Sequence, residues 1–408
     1  MFRYGNGRLF HFYVDDNAAV KAEAAIVNDL GGSKFRDTEF CGNHALYLDW
    51  TRPPVGALPA DSVRWGRICD LGVKGMLQPS LFTSSTTNKP TEIIQGVLPD
   101  TWFINAMSCL SAHPEELKRI FVSSKNWLHG IYTLRFYKGG RTVYVHVDDR
   151  IALNRDGEPL YCRSTDPNEA WPLILEKAYA KLHSCYENLS NGTIDYGLAD
   201  LTGRFVFNYS LQQPSASAPV DLKLFKRVSL DLANAAIVSA SYQPKIGVNL
   251  RPTAGIHFGQ AYVVEEAAFF DKSSDSSSYC RQKQVSDMKA STASIALVRI
   301  RSSWRHLKQA DNVVDSTTMA RSDQSNSHSA WQGAWSLGDS VWEAHAAIRD
   351  ALQPDTLHTK SFGSSFWMCW ADFVLAFNSL SSAPRQEEQT VTVFEGAWDQ
   401  VDHCNVIC

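Results

Sequence analysis

Residues 95–109 read QGVLPDTWFINAMSC, and they predict the start of a buried helix. Pro99 and Asp100 suit the positions just before a helix, because proline fixes φ and an aspartate carboxylate can cap the first N–H groups. Thr101 is then the first helical residue. The apolar residues that follow recur at helical spacing on one face: Trp102, Phe103, Ala106, Met107 and Leu110. The backbone N–H groups and the dipole at the start of a helix can stabilise a thiolate, but this chain has the hydroxyl of Thr101 at that position.

The composition indicates a folded protein of two or three domains. The chain has 408 residues, 44% of them hydrophobic, and a net charge of −4. It has no long basic run, so we expect no nucleic-acid partner. We expect no membrane span and no signal peptide, because no apolar run is long enough for either. Nine cysteines without paired spacings indicate reduced thiols in an intracellular protein, with no cofactor expected.

Residues 1–60 predict a small N-terminal α/β module. Residues 7–16 (GRLFHFYVDD) have the pattern of a strand, and residues 44–50 (HALYLDW) that of a second strand. Between them, residues 16–32 predict a helix that is capped by Asp16 or Asn17 and stopped by two glycines. A stretch rich in proline and glycine then links this module to the rest of the chain.

Several later blocks predict the rest of the fold. Residues 130–153 (GIYTLRFYKGGRTVYVHVDDRIAL) predict a β-hairpin whose turn contains Gly139 and Gly140. Residues 164–189 (STDPNEAWPLILEKAYAKLHSCYENL) predict a helix that starts at residues 166–169. Four segments then predict a strand-rich second half: IHFGQAYVVEEA (256–267), SIALVRIRSSW (294–304), HSAWQGAWS (328–336) and SSFWMCWADFVLAF (364–377).

From about residue 65 to 380, these blocks resemble the calpain family of papain-like cysteine proteases. The opening stretch is similar to the family's Q-G-x-L-G-D-C-W, and residues 164–189 are similar to S-x-D-P-N-E-x-W-x-x-L-L-E-K-A-Y-A-K-L-H. The resemblance implies an α+β fold with a papain-like calpain protease core. Its expected parts are a helical half at 65–210 and a β-rich half at 211–380, with the small module at 1–60 before them and a C-terminal tail at 381–408.

The resemblance also implies where a catalytic triad would lie, and none of its three positions carries the family's residue. Thr101 falls on the nucleophilic cysteine, Gln260 on the histidine of G-H-A-Y, and Ser302 on the asparagine of L-V-R-L-R-N-P-W. Gln95 matches the oxyanion-hole glutamine and Trp304 the tryptophan beside the site, although packing explains both equally well. A threonine hydroxyl needs an adjacent base, and a glutamine amide cannot accept a proton. We therefore expect no catalytic residue.

The neighbouring residues do not replace the missing groups. Cys109 lies roughly 12 Å further along the helix and is expected to be a buried packing residue. In a strand, His257 faces away from Gln260. Of the two following glutamates, only Glu266 shares the face of Gln260, and it lies roughly 20 Å away. None of them is expected to act as nucleophile or base.

The resemblance further implies two calcium sites, of which the sequence allows only the second to be judged. Leu337 stands where the family has the aspartate of W-S-D, and residues 363–365 replace the acidic D-G-x before F-W-M. A hard cation requires carboxylate oxygens, which these positions lack. We expect no metal at the second site.

The sequence thus predicts a catalytically inactive calpain-like protein that acts as a scaffold subunit. Its resemblance to kinetoplastid calpain-like proteins implies a cytoplasmic place in a cytoskeletal or flagellar assembly, with tubulin or axonemal proteins as candidate partners. Two alternatives stay open: a residual hydrolase that uses Thr101, and a regulatory pseudoprotease that binds peptides in the former cleft. The long polar segment between Trp304 and Trp331, or the N-terminal module, is the expected partner surface.

Overall fold

The computed structural model describes residues 13–54, 57–59, 62–70, 80–83, 90–211, 222–242, 256, 261–272, 279–282, 288, 294–302, 304–306, 331–336, 338–352 and 365–385. Helices and sheets together make the α+β fold that was predicted. The helices are α1 (Asp16–Asp29), α2 (Asn43–Leu46), α3 (Thr101–Ser111), α4 (Pro114–Ile120), α5 (Trp171–Leu182), α6 (Ile194–Thr202), α7 (Leu222–Ala233), α8 (Val341–Ala344), α9 (Ala346–Leu352) and α10 (Trp370–Ala376).

The strands among the described residues form four sheets. In chain order they are β1 (Arg64–Arg67), β2 (Ile93–Gln95), β3 (Phe121–Ser123), β4 (Ile131–Lys138), β5 (Arg141–Asp148), β6 (Arg150–Leu153), β7 (Arg163–Ser164), β8 (Phe207–Ser210), β9 (Ile237–Ser241), β10 (Ala261–Lys272), β11 (Tyr279–Gln282), β12 (Ile295–Arg301), β13 (Trp304–His306), β14 (Ser365–Cys369) and β15 (Ser379–Ala383). The largest sheet has the order β14-β12-β10-β9-β15-β8, with β11 also paired to β10. The smaller sheets are β1-β6, β13-β2-β7 and β3-β4-β5.

Helix α3 lies in the centre of the larger hydrophobic core. Nine of its eleven residues are buried, and the apolar ones join a cluster with α5, α6 and the hairpin β4–β5. The ring of Phe103 stacks on Tyr179 with centroids 3.9 Å apart. Four of the five residues of the predicted apolar face are buried and the fifth, Trp102, is partly buried against the same core. The helix begins at Thr101, as predicted.

A second core lies between the large sheet and helices α7 and α10. The first aromatic side chain on α10, Trp370, stacks on Phe373, and Phe373 packs against Phe377, so aromatic residues recur at helical spacing. The sequence pattern predicts a strand throughout residues 364–377, but the strand ends at Cys369. Cys369 is the N-cap of α10, and its Sγ accepts a hydrogen bond from the N–H of Asp372.

Residues 13–54 pack on the first core. The carboxylate of Glu23 on α1 is fully buried and accepts hydrogen bonds from Ser123, Asn126 and Thr133. Helix α1 is capped by Asp15, one residue before Asp16 and two before Asn17, the two predicted caps. The second strand predicted in this module, at residues 44–50, is wrong: residues 43–46 form the short helix α2, and Ala45 and Leu46 enter the core.

The remaining predictions differ in their boundaries. The hairpin turn is confirmed, since Gly139 and Gly140 have φ values of 55° and 70° between β4 and β5. Helix α5 starts at Trp171 rather than at residues 166–169, which form a turn held by Asp166. Residues 331–336 form turns instead of a strand. The domain boundaries stay a prediction, as do the features expected for residues 307–330 and 386–408, which lie outside the described residues.

Within the described ranges, none of the helices combines the length and apolarity needed to cross a membrane.

Candidate functional site

Strand β2 and the start of α3 bring Gln95 and Thr101 together. The turn between them is tight against the neighbouring chain: a Cβ added at Gly96 would lie 2.4 Å from the carbonyl oxygen of Leu160. The N–H of Val97 donates to that same carbonyl oxygen at 3.1 Å. Only glycine fits such a close backbone approach without a shift. The backbone packing at this turn thus fixes the position of the first helical turn.

The hydroxyl of Thr101 donates a hydrogen bond to the side-chain oxygen of Gln95, over 3.1 Å. The Gln95 amide nitrogen in turn donates to the carbonyl oxygen of Leu98, at 2.8 Å. Gln95 is only 3% exposed, and the hydroxyl therefore satisfies a buried acceptor. The two residues form a small closed network at the head of α3.

Asp100, the N-cap of α3, does not cap the helix with its side chain. Its carboxyl is fully buried and faces that of Glu176 on α5, which is also buried. Burial, together with the charge of Glu176, raises the pKa of Asp100 well above its usual range. Burial raises the pKa of Glu176 to about 7. Two buried carboxyls in contact favour holding at least one proton between them.

Glu176 is further held by the backbone just before β7. Its Oε2 accepts a hydrogen bond from the N–H of Cys162 at 2.9 Å. Sequence reasoning missed this carboxyl pair. The signal was an acidic residue in the middle of the apolar run WPLILEKAYA, which predicts a buried charge on the inner face of α5.

The other predicted triad positions are only partly placed. Gln260 and His257 lie outside the described residues, and β10 begins directly after Gln260. Ser302 is half-buried after β12, and no hydrogen bond joins it to Thr101 in the described chain. The backbone of Trp304 starts β13, which runs parallel to β2 with His306 opposite Gln95. The structure thus unites Gln95 with Thr101 and sets β13 beside them.

The neighbours considered as substitutes have other roles. Cys109 is buried, as predicted, and burial raises the pKa of its thiol to about 12. Glu265 pairs with Arg301 at 2.6 Å and with Arg299 at 3.2 Å, and Glu266 pairs with Arg299 at 3.3 Å. The β10–β12 register shifts between Val264 and Glu266, which breaks the strict alternation we had assumed for β10. Neither glutamate is a free base.

The surroundings of Ser365 do not fit a divalent cation. Ser365 stands at one of the positions where the resemblance implied acidic calcium ligands, and its hydroxyl donates to Glu265 at 2.7 Å. That carboxylate is already neutralised by two arginines. Among the described residues, no group of three or more His, Cys, Asp or Glu side chains is placed to hold a metal ion. Leu337 and Gly363 lie outside those residues.

Comparison with known proteins decides the family. The model of the calpain family of cysteine proteases matches residues 35–383. The chain belongs to the calpain family. This calpain-family chain is 29% identical over 381 residues to the calpain-1 catalytic subunit of Gallus gallus, which covers 90% of the chain and 46% of that relative.

Two other relatives give the same picture. Calpain-5 of Caenorhabditis elegans is 27% identical over 315 residues, which are 74% of the chain and 44% of the relative. The calpain-type cysteine protease DEK1 of Zea mays is 28% identical over 359 residues, which are 86% of the chain and 14% of the relative. The chain spans less than half the length of these curated relatives.

Proposed function

We propose that this calpain-family protein is catalytically inactive and acts by binding other proteins, as a scaffold subunit. The observation that carries this proposal is the hydrogen bond from Thr101 to the Gln95 amide oxygen. An amide oxygen is too weak a base to remove the hydroxyl proton, so the bond orders the threonine without activating it. Among the described residues, no carboxylate or imidazole makes a hydrogen bond to this hydroxyl.

The residues around Thr101 support the same proposal. The Gln95 amide nitrogen, whose family counterpart serves the oxyanion hole, is engaged by the carbonyl oxygen of Leu98. The nearest acidic group along the chain, Asp100, is fully buried, and its raised pKa favours the protonated carboxyl, which has no free charge to take the threonine proton. A residual hydrolase would need a base that this arrangement does not offer.

A proteolysis assay tests the proposal. The protein would be incubated with unfolded casein and calcium beside Thr101→Ala and a Thr101→Cys/Gln260→His/Ser302→Asn triple variant. We expect no cleavage by the natural chain. Cleavage that disappears in Thr101→Ala would overturn the proposal in favour of a hydrolase that uses Thr101. Cleavage by the triple variant alone would show that the scaffold still holds a triad and that the substitutions account for the inactivity.

We further propose that the scaffold belongs to a cytoplasmic cytoskeletal or flagellar assembly, with tubulin or axonemal proteins as partners. Support comes from the resemblance to calpain-like proteins with degenerate triads. A tagged full chain, expressed in its own cells, would be located by microscopy and its co-purifying proteins identified. A diffuse distribution with no cytoskeletal protein enriched over an untagged control would refute this part.

A further inference from the structure

An arginine-lined pocket lies away from the site around Thr101, and its lining contains none of the three triad positions. It encloses about 360 Å³ between α4, β4, the end of α6 and the residues after β15. Its charged lining consists of four arginines and one carboxylate: Arg119, Arg135, Arg204, Arg385 and Glu116. Neither the calpain resemblance nor the arrangement around Thr101 gives these arginines a task.

Two of the arginines are fixed by the fold. Arg135 pairs with Asp16 at 2.8 Å and donates to the carbonyl oxygen of Arg119 at 3.0 Å. Arg204, only 7% exposed, pairs with Glu116 at 3.1 Å and donates to the carbonyl oxygen of Ala383. Most of their N–H groups are therefore already used. They supply fixed positive charge at the base of the pocket rather than free donors.

The other two arginines lie at the open rim. Arg119 is 60% exposed and reaches Glu116 only at 3.5 Å. Arg385 is exposed, and it makes no ion pair or hydrogen bond to the described residues. Burial lowers the pKa of Arg204, and the charges of Arg385 and Arg119 lower it further. The guanidinium groups of Arg119 and Arg385 at the rim thus repel that of Arg204, and most of their N–H donors make no hydrogen bond to the described residues.

The pocket carries an excess of positive charge. Among the described residues, these four guanidinium groups have two carboxylate partners, Glu116 in the lining and Asp16 beside Arg135, which leaves an excess of two positive charges. The whole chain, by contrast, has a net charge of −4. A local charge opposite in sign to that of the protein attracts an acidic partner to this face in particular.

We propose that this pocket binds carboxylate side chains of an acidic peptide segment in a partner protein. The fixed arginines already take carboxylates, Asp16 and Glu116, as their partners. Phosphate is the competing ligand, because an arginine fork binds phosphate as well as carboxylate. Here α4 and α6 present their C-terminal ends at Ile120 and Thr202, whose carbonyl groups disfavour any anion close to them, so the exposed arginines at the rim are the groups that bind the ligand. Two exposed arginines on an open rim, Arg119 and Arg385, suit separate carboxylates along a peptide.

This inference rests on the proposed function, since it assigns a surface to a protein-binding scaffold. The two can fail separately, because the one is tested by peptide binding and the other by proteolysis. The probe is a fluorescently labelled oligoglutamate peptide, added to the full chain and followed by anisotropy. An oligoglutamine peptide and inorganic phosphate at matched ionic strength are the comparison ligands.

The decisive variant is Arg119→Gln/Arg385→Gln. Among the described residues, Arg119 has only an exposed ion pair and Arg385 has no ion pair, so we expect the variant to keep its stability. Its matched control, Arg52→Gln/Arg155→Gln, removes two exposed arginines elsewhere and the same net charge. We expect oligoglutamate binding to weaken about fivefold to tenfold in the first variant, the loss typical of two partly exposed charge pairs, and to change little in the control.

Three results would overturn the inference. Equal weakening in both double variants would mean that binding follows net charge alone. Undiminished binding in Arg119→Gln/Arg385→Gln would place the peptide elsewhere. Displacement of the peptide by phosphate, at an ionic strength where chloride does not displace it, would make the pocket a phosphate site. The inference is supported if oligoglutamine does not bind and if oligoglutamate binding weakens as the salt concentration rises.

Discussion

Replacing Glu176 by glutamine should flatten the pH dependence of stability. In the folded chain Glu176 keeps its proton to higher pH, because burial raises its pKa from 4.5 to about 7. Between these values the folded state holds more protons than the unfolded state. The free energy of unfolding therefore falls as pH rises through this window, and the contribution of Glu176 is fully present only below the lower value.

The expected fall in the free energy of unfolding follows from the two pKa values of Glu176, 4.5 in the unfolded chain and about 7 in the folded one. At 1.36 kcal/mol for each pH unit between them, Glu176 accounts for a fall of about 3 kcal/mol across the window. Asp100 changes stability in the same direction, since its pKa is also raised. His183 acts oppositely: burial lowers its pKa to about 3, so its contribution is lost as pH falls below the ordinary histidine value. That contribution is shared by the natural chain and the variant, and it cancels in their difference.

The assay is urea unfolding of Glu176→Gln and of the natural chain, followed by tryptophan fluorescence at several pH values across the window. Glutamine keeps an oxygen for the Cys162 N–H and stays neutral throughout. Glu343→Gln, at an exposed position, is the matched control and should keep the natural slope. If Glu176→Gln and the natural chain lose stability in parallel, the buried carboxyl pair is not the source of the pH dependence.

The other predictions concern Thr101 and the thiols. Thr101→Ala leaves the buried oxygen of Gln95 without its donor and should lower the unfolding free energy by about 1–3 kcal/mol, whereas Thr101→Ser keeps the donor and should cost much less. Equal stability of the two variants would show that this bond does not stabilise the fold. Iodoacetamide should label the half-buried Cys41 and Cys69 in the native protein and reach Cys109 only after unfolding, as followed by mass spectrometry. Native labelling of Cys109 at the rate of Cys41 would contradict its burial.

Periodicity predicted α3 and the hairpin β4–β5 well, because both are specified locally. The apolar spacing after Thr101 favours a helix with one buried face. The two glycines with positive φ favour a tight hairpin turn. The strand prediction at residues 44–46 was wrong because the conformation there is not specified locally. Apolar residues in a short run do not distinguish a strand from a turn of helix, and contacts with the distant core decided between them.

The sequence predicted which residues lie at the site around Thr101, but not the hydrogen bonds that they make. Motif spacing indicated Gln95 and Thr101, yet the direction of their hydrogen bond depends on the carbonyl of Leu98 and on the close approach at Gly96. The partnership of Asp100 with Glu176 joins residues far apart in the sequence, which no local pattern reveals. The arginine pocket likewise gathers side chains from four separated segments.

The buried carboxylate of Glu23 changes how partner surfaces on this protein should be mapped. Removing the N-terminal residues would take away the acceptor shared by Ser123, Asn126 and Thr133 and would expose the apolar surface beneath α1. A truncated chain that lost its partners would then report damage to the core as readily as loss of a binding surface. Single substitutions at exposed positions of α1, such as Lys21→Ala, leave that anchor intact. For this family member, the N-terminal segment is better treated as part of the folding unit than as a detachable tag.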